Sequence, residues 1–357
     1  MVPQFHTLEN IMPKLSGFSR TLPFIALCLF LAQGLAAVAQ SPYHILDRWK
    51  LGGDGGWDYM LVDSAAHRLY ITHGNRVEAV DTTTGKPAGA ITGLHGFSHG
   101  IALDTDGKTG YISDGGGNAV VVFDRSNFST LATIAVGTNP DAILFDPSTN
   151  TVWTFNGRSH DISVVDAAAR KVVATIPVPG KPEFAATDGK GNIYDNIEDK
   201  NEIIRLDAGA RKITAEWPLA GCESPSGLAF DTASSHLFAV CDAKVMAIVN
   251  ATSGKEAGKA AICDGPDAAG WDPNHKLAFA SCGDGNLAVV KASGSKFETV
   301  EMLPTERGAR TMAYDPATDR IYTVTAEFGP RPAPTADNPH PRPAIVPNSF
   351  TVIVMGR

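Results

Sequence analysis

The stretch Ala142-Ile143-Leu144-Phe145-Asp146-Pro147-Ser148-Thr149-Asn150-Thr151-Val152-Trp153-Thr154-Phe155 decides the fold. It reads as a short apolar string ending in Asp, then a turn, then a second β-rich string. The arrangement recurs with the aspartate at Asp63, Asp104, Asp146, Asp188, Asp231, Asp272 and Asp315, at intervals of 41, 42, 42, 43, 41 and 43 residues. A third string ends near Asp81, Asp124, Asp166, Asp207, Asn250 and Lys291, and a fourth follows it, as at residues 172–176. Each unit therefore holds four short strands, A to D, joined by turns rich in Gly, Asn and Asp. Four strands in about 42 residues is the size of a propeller blade. A solenoid coil is shorter, and a sandwich has no reason to repeat.

The reading is all-β: a seven-bladed β-propeller of four-stranded antiparallel blades, in one domain. The last unit supplies strands A, B and C (the last over residues 350–355) and no D. The strand-like residues 43–51 precede the first unit. As the missing strand they complete the last blade and close the ring, which leaves no central edge unpaired.

A chain of 357 residues that is 43% hydrophobic and 19% charged is not disordered and can bury a large core. Mean hydropathy of −0.04 excludes a polytopic membrane protein. Residues 1–39 read as a signal peptide: Lys14 and Arg20 precede an apolar run over residues 22–35, and Ala37-Val38-Ala39 follows. Cleavage is expected after Ala39. Met12 offers a second, tidier start. The other reading, an uncleaved anchor, needs about 20 apolar residues, more than this run supplies. The propeller is then residues 40–357, with no transmembrane segment after cleavage, in the periplasm or secreted. Residues 1–39 carry Lys14, Arg20 and Glu9, so the mature chain has a net charge of −8 − (+1) = −9. That charge disfavours nucleic acid as a partner.

Four cysteines remain beyond Cys28: Cys222, Cys241, Cys263 and Cys282. An even count in an exported chain suggests two disulfides. Cys222 and Cys263 are 41 residues apart, as are Cys241 and Cys282, so each pair holds equivalent places in blades five and six. The first of each precedes strand A and the second ends strand B. An antiparallel A–B hairpin then favours Cys222–Cys241 and Cys263–Cys282. The alternatives are links between adjacent blades, Cys222–Cys263 with Cys241–Cys282, and a zinc site, for which the usual C-x-x-C is missing.

Units such as Val136-Gly137-Thr138-Asn139-Pro140-Asp141-Ala142-Ile143-Leu144-Phe145-Asp146 resemble the YncE-like, 40-residue YVTN-type β-propeller repeat family. Tyr70-Ile71-Thr72-His73 and Tyr322-Thr323-Val324-Thr325 are the nearest forms of the name-giving tetrapeptide. The resemblance covers essentially the whole mature chain. It implies a bacterial exported propeller, a family in which some members have been linked to DNA binding. It offers no catalytic motif to carry over.

In a propeller, strand A lines the central channel, and the D–A connections share a face with the B–C turns. The residue five before each phase aspartate then rings the channel mouth: Asp58, His99, Asp141, Glu183, Ser226, Asp267 and Arg310. These are the candidate ligand-binding residues. Four carboxylates, an imidazole and a guanidinium suit a polar ligand or a cation. The other reading is that they pair with each other, cap loops or bind channel water. No motif implies a cofactor; a divalent cation is the one such group the ring suits. On the same face, strands B and C of blade seven are separated by a Pro-rich insertion, residues 329–348, carrying Arg331, His340 and Arg342. Its expected neighbour is the glycine run Gly52-Gly53-Asp54-Gly55-Gly56. It is read either as a lid or docking arm over the mouth, or as a loop sealing the junction of first and last blades.

Several motif matches carry no chemistry. Gly96-Phe97-Ser98-His99-Gly100 fits the nucleophile-elbow string, but it leads into a strand where that motif needs a strand, a turn and a helix. Asp104-Thr105-Asp106-Gly107 lacks the twelfth-position Glu of a calcium loop. The functional reading is a non-catalytic exported scaffold that binds an unidentified small molecule or protein. The alternative is a metal-assisted, lactonase-like hydrolase, or a redox-associated accessory propeller, using the channel-mouth ring.

Overall fold

The computed structural model describes residues 42–335 and 341–357. They form seven four-stranded antiparallel sheets. The one helical element among them is a 3-10 turn, Glu198–Lys200. The A strands are Trp57–Asp63, Ser98–Leu103, Pro140–Asp146, Pro182–Thr187, Pro225–Asp231, Pro266–Asp272 and Met312–Asp315. Each touches the A strands of the blades before and after it, and Met312–Asp315 meets Trp57–Asp63. The ring is closed.

The phase aspartate recurs because it makes the A–B turn. In all seven blades its carboxylate accepts a backbone N–H two or three residues on, at 2.8–3.2 Å: Ala66, Asp106, Thr149, Lys190, Ala233, Asn274 and Ala317 are the donors. This is the Asx turn, in which a short acidic side chain substitutes for a backbone acceptor. Strand C ends the same way, as where Asp81 accepts Thr84 N–H at 2.8 Å and Asn250 accepts Ser253 N–H at 2.9 Å. Lys291 breaks that series for a physical reason. Blade six continues its C strand to Ser293 and pairs Ser293 with Lys296 across a tight turn. Gly294 supplies the positive φ of 63° that this turn requires.

Apolar faces of adjacent sheets form the core between blades. Trp153 and Phe155 of blade three pack with Ile193 and Ile204 of blade four. Trp153 is fully buried and donates its indole N–H to Thr151 Oγ1 at 2.8 Å. Trp271 stacks on Phe238 across blades six and five, with ring centroids 4.9 Å apart.

Blade seven is built from both ends of the described chain. Its order is His44–Lys50, Thr351–Gly356, Arg320–Thr325, Met312–Asp315, with His44 opposite Gly356. Tyr43 anchors the closing strand. Its hydroxyl donates to Asp319 at 2.8 Å, its ring meets Phe279 edge-on at 5.4 Å, and the Arg357 guanidinium lies 4.8 Å above it. The seam with blade one is apolar, joining Leu69 and Ile71 to Tyr322, Phe350 and Val352.

Cys222 is bonded to Cys241 and Cys263 to Cys282, with Cα–Cα distances of 5.3 and 5.8 Å. Each bridge ties the approach to strand A to the end of strand B within one blade. Among the described residues no helix is long and apolar enough to cross a membrane. The leader read over residues 1–39 lies outside the described residues, and so does His340.

The base of the insertion carries one rung of sheet. Phe328 bridges Ile345, Gly329 N–H donates to Ala344 O and Val346 N–H donates to Glu327 O, both at 2.8 Å. The pairing extends the B–C hairpin before the prolines break it. The glycine run lies alongside as expected, with Gly53 N–H reaching Asn348 Oδ1 at 3.3 Å.

Candidate functional site

The ring exists because strand A is bulged. In six blades the A–B register slips at the same place: between Trp57 and Met60, Ser98 and Ile101, Pro140 and Ile143, Pro182 and Ala185, Pro225 and Leu228, and Pro266 and Ala268. A bulge releases residues from the ladder and re-aims their side chains. The released residues include Asp58, His99, Asp141, Glu183, Ser226 and Asp267, six of the seven positions marked by the spacing. In blade seven strand A begins only at Met312, and Arg310 lies just ahead of it.

Five of these side chains join in one arc through blades six, seven, one, two and three. Arg310 lies 2.5 Å from Asp267 and 3.4 Å from Asp58. His99 Nδ1 lies 2.5 Å from Asp58 and 3.6 Å from Asp141. Glu183 stands outside the arc, 2.8 Å from Lys181 Nζ, and accepts the Tyr59 hydroxyl at 3.5 Å. Ser226 takes no part in the charge network; its hydroxyl donates to Pro266 O at 3.0 Å.

Burial sets the protonation of this cluster. Desolvation pushes the Asp141 carboxyl up to about 7, with Asp58 and Asp267 adding to it and His99 and Lys181 opposing. Desolvation pushes Glu183 up to about 8, helped by Asp141 and opposed by Lys181. Asp267 is raised to about 6 by burial, against the pull of Arg310. For His99 burial acts downward, but the Asp58 hydrogen bond and the charge of Asp141 outweigh it and hold the imidazole at about 9. At neutral pH the cluster is therefore part-protonated. The outer ring nitrogen of His99, Nε2, is buried without a hydrogen-bond partner. Asp58, His99 and Asp141 can each present one ligand atom, all within 4.8 Å of one another.

Spacing alone did not reveal what lies beneath the ring. The second released residue of each blade is small in most cases (Gly100, Ala142, Gly227) but large at Tyr59 and Phe184. Tyr59 of blade one reaches across to Phe184 of blade four, edge-on at 5.0 Å, so the ring has an aromatic floor. The small residues are required by close approach. A Cβ on Gly227 would lie 2.6 Å from Ala269 N and 2.7 Å from Asp267 O in the next blade. Asp195, on strand B of blade four, is also fully buried. Desolvation raises its carboxyl well above the usual range, and Glu183 adds to this.

The nucleophile-elbow match is a turn. Ser98 is buried and its hydroxyl donates to Gly74 O at 3.2 Å, while Gly116 N–H donates to Gly96 O at 2.9 Å. Asp106 likewise caps a turn, accepting Thr109 N–H at 2.9 Å.

No family model matches the chain. A Salmonella typhimurium protein named YncE and described as uncharacterized is 30% identical over 148 residues, which is 40% of this chain and 42% of that protein. Its Salmonella typhi namesake is 29% identical over 148 residues, with the same shares. The chain thus spans about two-fifths of the length of the curated relatives it matches. Among solved structures, a chain of Kuenenia stuttgartiensis hydrazine synthase superposes with a TM-score of 0.67 at 16% identity, over 75% of this chain and 92% of that one. At that identity the likeness shows the fold alone. With seven four-stranded blades and this stretch of shared sequence, the chain is a seven-bladed β-propeller that resembles the YncE-like proteins.

Proposed function

We propose that the chain is an exported, non-catalytic propeller that holds a positively charged polar ligand at its channel mouth. One observation carries this reading: Asp141 is a buried carboxylate and Glu183 a part-buried one, both act on the His99 imidazole, and the arc of ion pairs does not neutralise them fully. Asp141 has no cation nearer than His99 Nδ1 at 3.6 Å among the described residues. A ligand cation would displace the protons these groups hold. Export is supported by the leader pattern of residues 1–39 and by two disulfides, which persist in oxidising compartments.

Calorimetric titration with putrescine and with manganese tests the reading. Binding is expected to be tighter at pH 8 than at pH 6, with protons released, and to be lost in the Asp141→Asn, Glu183→Gln double variant. Absence of binding by either probe at pH 8 refutes it. A second reading, a metal-assisted lactonase-like hydrolase, draws on the three-residue set Asp58, His99 and Asp141, since catalytic metals keep three protein ligands and an open position. Stoichiometric metal in the purified protein, together with lactone hydrolysis abolished by Asp141→Asn, would favour it.

A further inference from the structure

Beside the ring, under the base of the insertion, lies a cavity of about 280 Å³. Four arginines line it: Arg307 and Arg310 from the approach to strand A of blade seven, and Arg331 and Arg342 from the two arms of the insertion. Arg310 is engaged by Asp267 and Asp58. Among the described residues, Arg307, Arg331 and Arg342 form no ion pair, and no carboxylate lines the cavity. The wall between them is apolar, made by Trp57, Phe328, Pro343 and Ile345. Trp57 and Phe328 have ring centroids 6.2 Å apart, and the buried Trp57 indole N–H lacks an acceptor.

The wall is therefore rich in donors and positive charge, and among the described residues only Arg310 of the four arginines is answered by carboxylates. Like charges gathered on one small surface repel, and an anion offsets that repulsion. A guanidinium matches a carboxylate in a two-point fork. The rung between Phe328 and Ile345 holds the two insertion arms side by side at their base, and Arg331 and Arg342 lie three residues beyond it on either arm. The volume equals about nine waters' worth of liquid, near the lower limit of small-molecule sites. It suits a small molecule and is too small for a polymer segment.

We propose that this cavity binds a small organic carboxylate with an apolar body. Arg307, Arg331 and Arg342 hold the carboxylate, and the apolar body lies against Trp57 and Phe328. The site goes beyond the ring. It shares Arg310 with it, needs none of the ring carboxylates, and stands even if the ring binds no cation.

Calorimetry with phthalate and phenylacetate at low salt tests it, with benzylamine and inorganic phosphate as comparisons. Saturable one-to-one binding of at least one carboxylate is expected, weakened roughly tenfold or more by Arg331→Ala with Arg342→Ala. The melting temperature of the unliganded protein should not change in that variant. Gly56→Leu should block the site by another route, since a Cβ at Gly56 meets nothing within 4 Å and the side chain grows into the cavity. Asp141→Asn should bind the carboxylate as the parent does, which separates this site from the ring. The proposal falls if neither carboxylate saturates, if the arginine variant binds them equally, or if phosphate or benzylamine binds as tightly.

Discussion

Asp141→Asn removes a carboxyl that burial holds at about 7, against an ordinary value of 3.8. The raised value means that the folded protein keeps a proton that the unfolded chain gives up. Stability must then fall as pH rises from about 4 to about 7, by up to about 1.4 kcal/mol per pH unit. Over about three units that amounts to about 4 kcal/mol. His99 adds a second decline. Its folded value of about 9 lies above the ordinary 6.5, so its stabilisation is whole below 6.5 and is lost as pH rises through 9. The substitution abolishes the first decline and shrinks the second, because Asp141 is one of the groups holding His99 charged. Glu183 shares protons with Asp141, so the net effect is smaller than that sum. Urea unfolding followed by tryptophan fluorescence at pH 4.5, 6 and 8 measures it. The variant should gain on the parent as pH rises and be clearly the more stable at pH 8. Parallel stability curves at the three values would refute the account of a buried, proton-holding cluster.

Replacing Cys263 and Cys282 together by Ala should cost about 3 kcal/mol, the loop-closure value for a 19-residue separation, read as a fall in the urea midpoint. Gly227→Ala should cost about 1–3 kcal/mol, because its Cβ would meet backbone atoms of the next blade at 2.6–2.7 Å and no side chain can swing aside; thermal unfolding checks it. Deleting residues 42–50 uncovers the edge of Thr351–Gly356 and should produce aggregation visible by light scattering, whereas a monodisperse deletion variant would contradict the pairing.

The blade count was legible because the turn demanded it. An Asx turn needs a carbonyl or carboxylate oxygen on Cγ as its acceptor, so Asp recurs at one phase and strand length sets the interval. The cysteines inherited that phase, and the in-blade pairing came with it. The ring positions were legible for the same reason, but their contacts were not. A bulge has no sequence signature of its own, and in five blades it releases two residues from the ladder where alternation predicts one. Tyr59 and Phe184 were therefore missed, although both stand next to residues that spacing had marked. Lys181 and Asp195 were missed because their approach to Glu183, a residue the spacing did mark, appears only in three dimensions. The four arginines of the side cavity lie in two separate loops, and the hairpin at residues 328 and 345 sets the two arms of the insertion side by side.

Blade seven has a kinetic consequence. Every other sheet joins neighbours in sequence and can form from a short stretch of chain. The last sheet brings residue 44 to residue 356, and a contact between such distant points is the slowest kind to make. During synthesis, the strand His44–Lys50 must stay single until Thr351–Gly356 has emerged. That waiting period is when the molecule is most exposed to proteases and to mispairing with another copy of itself.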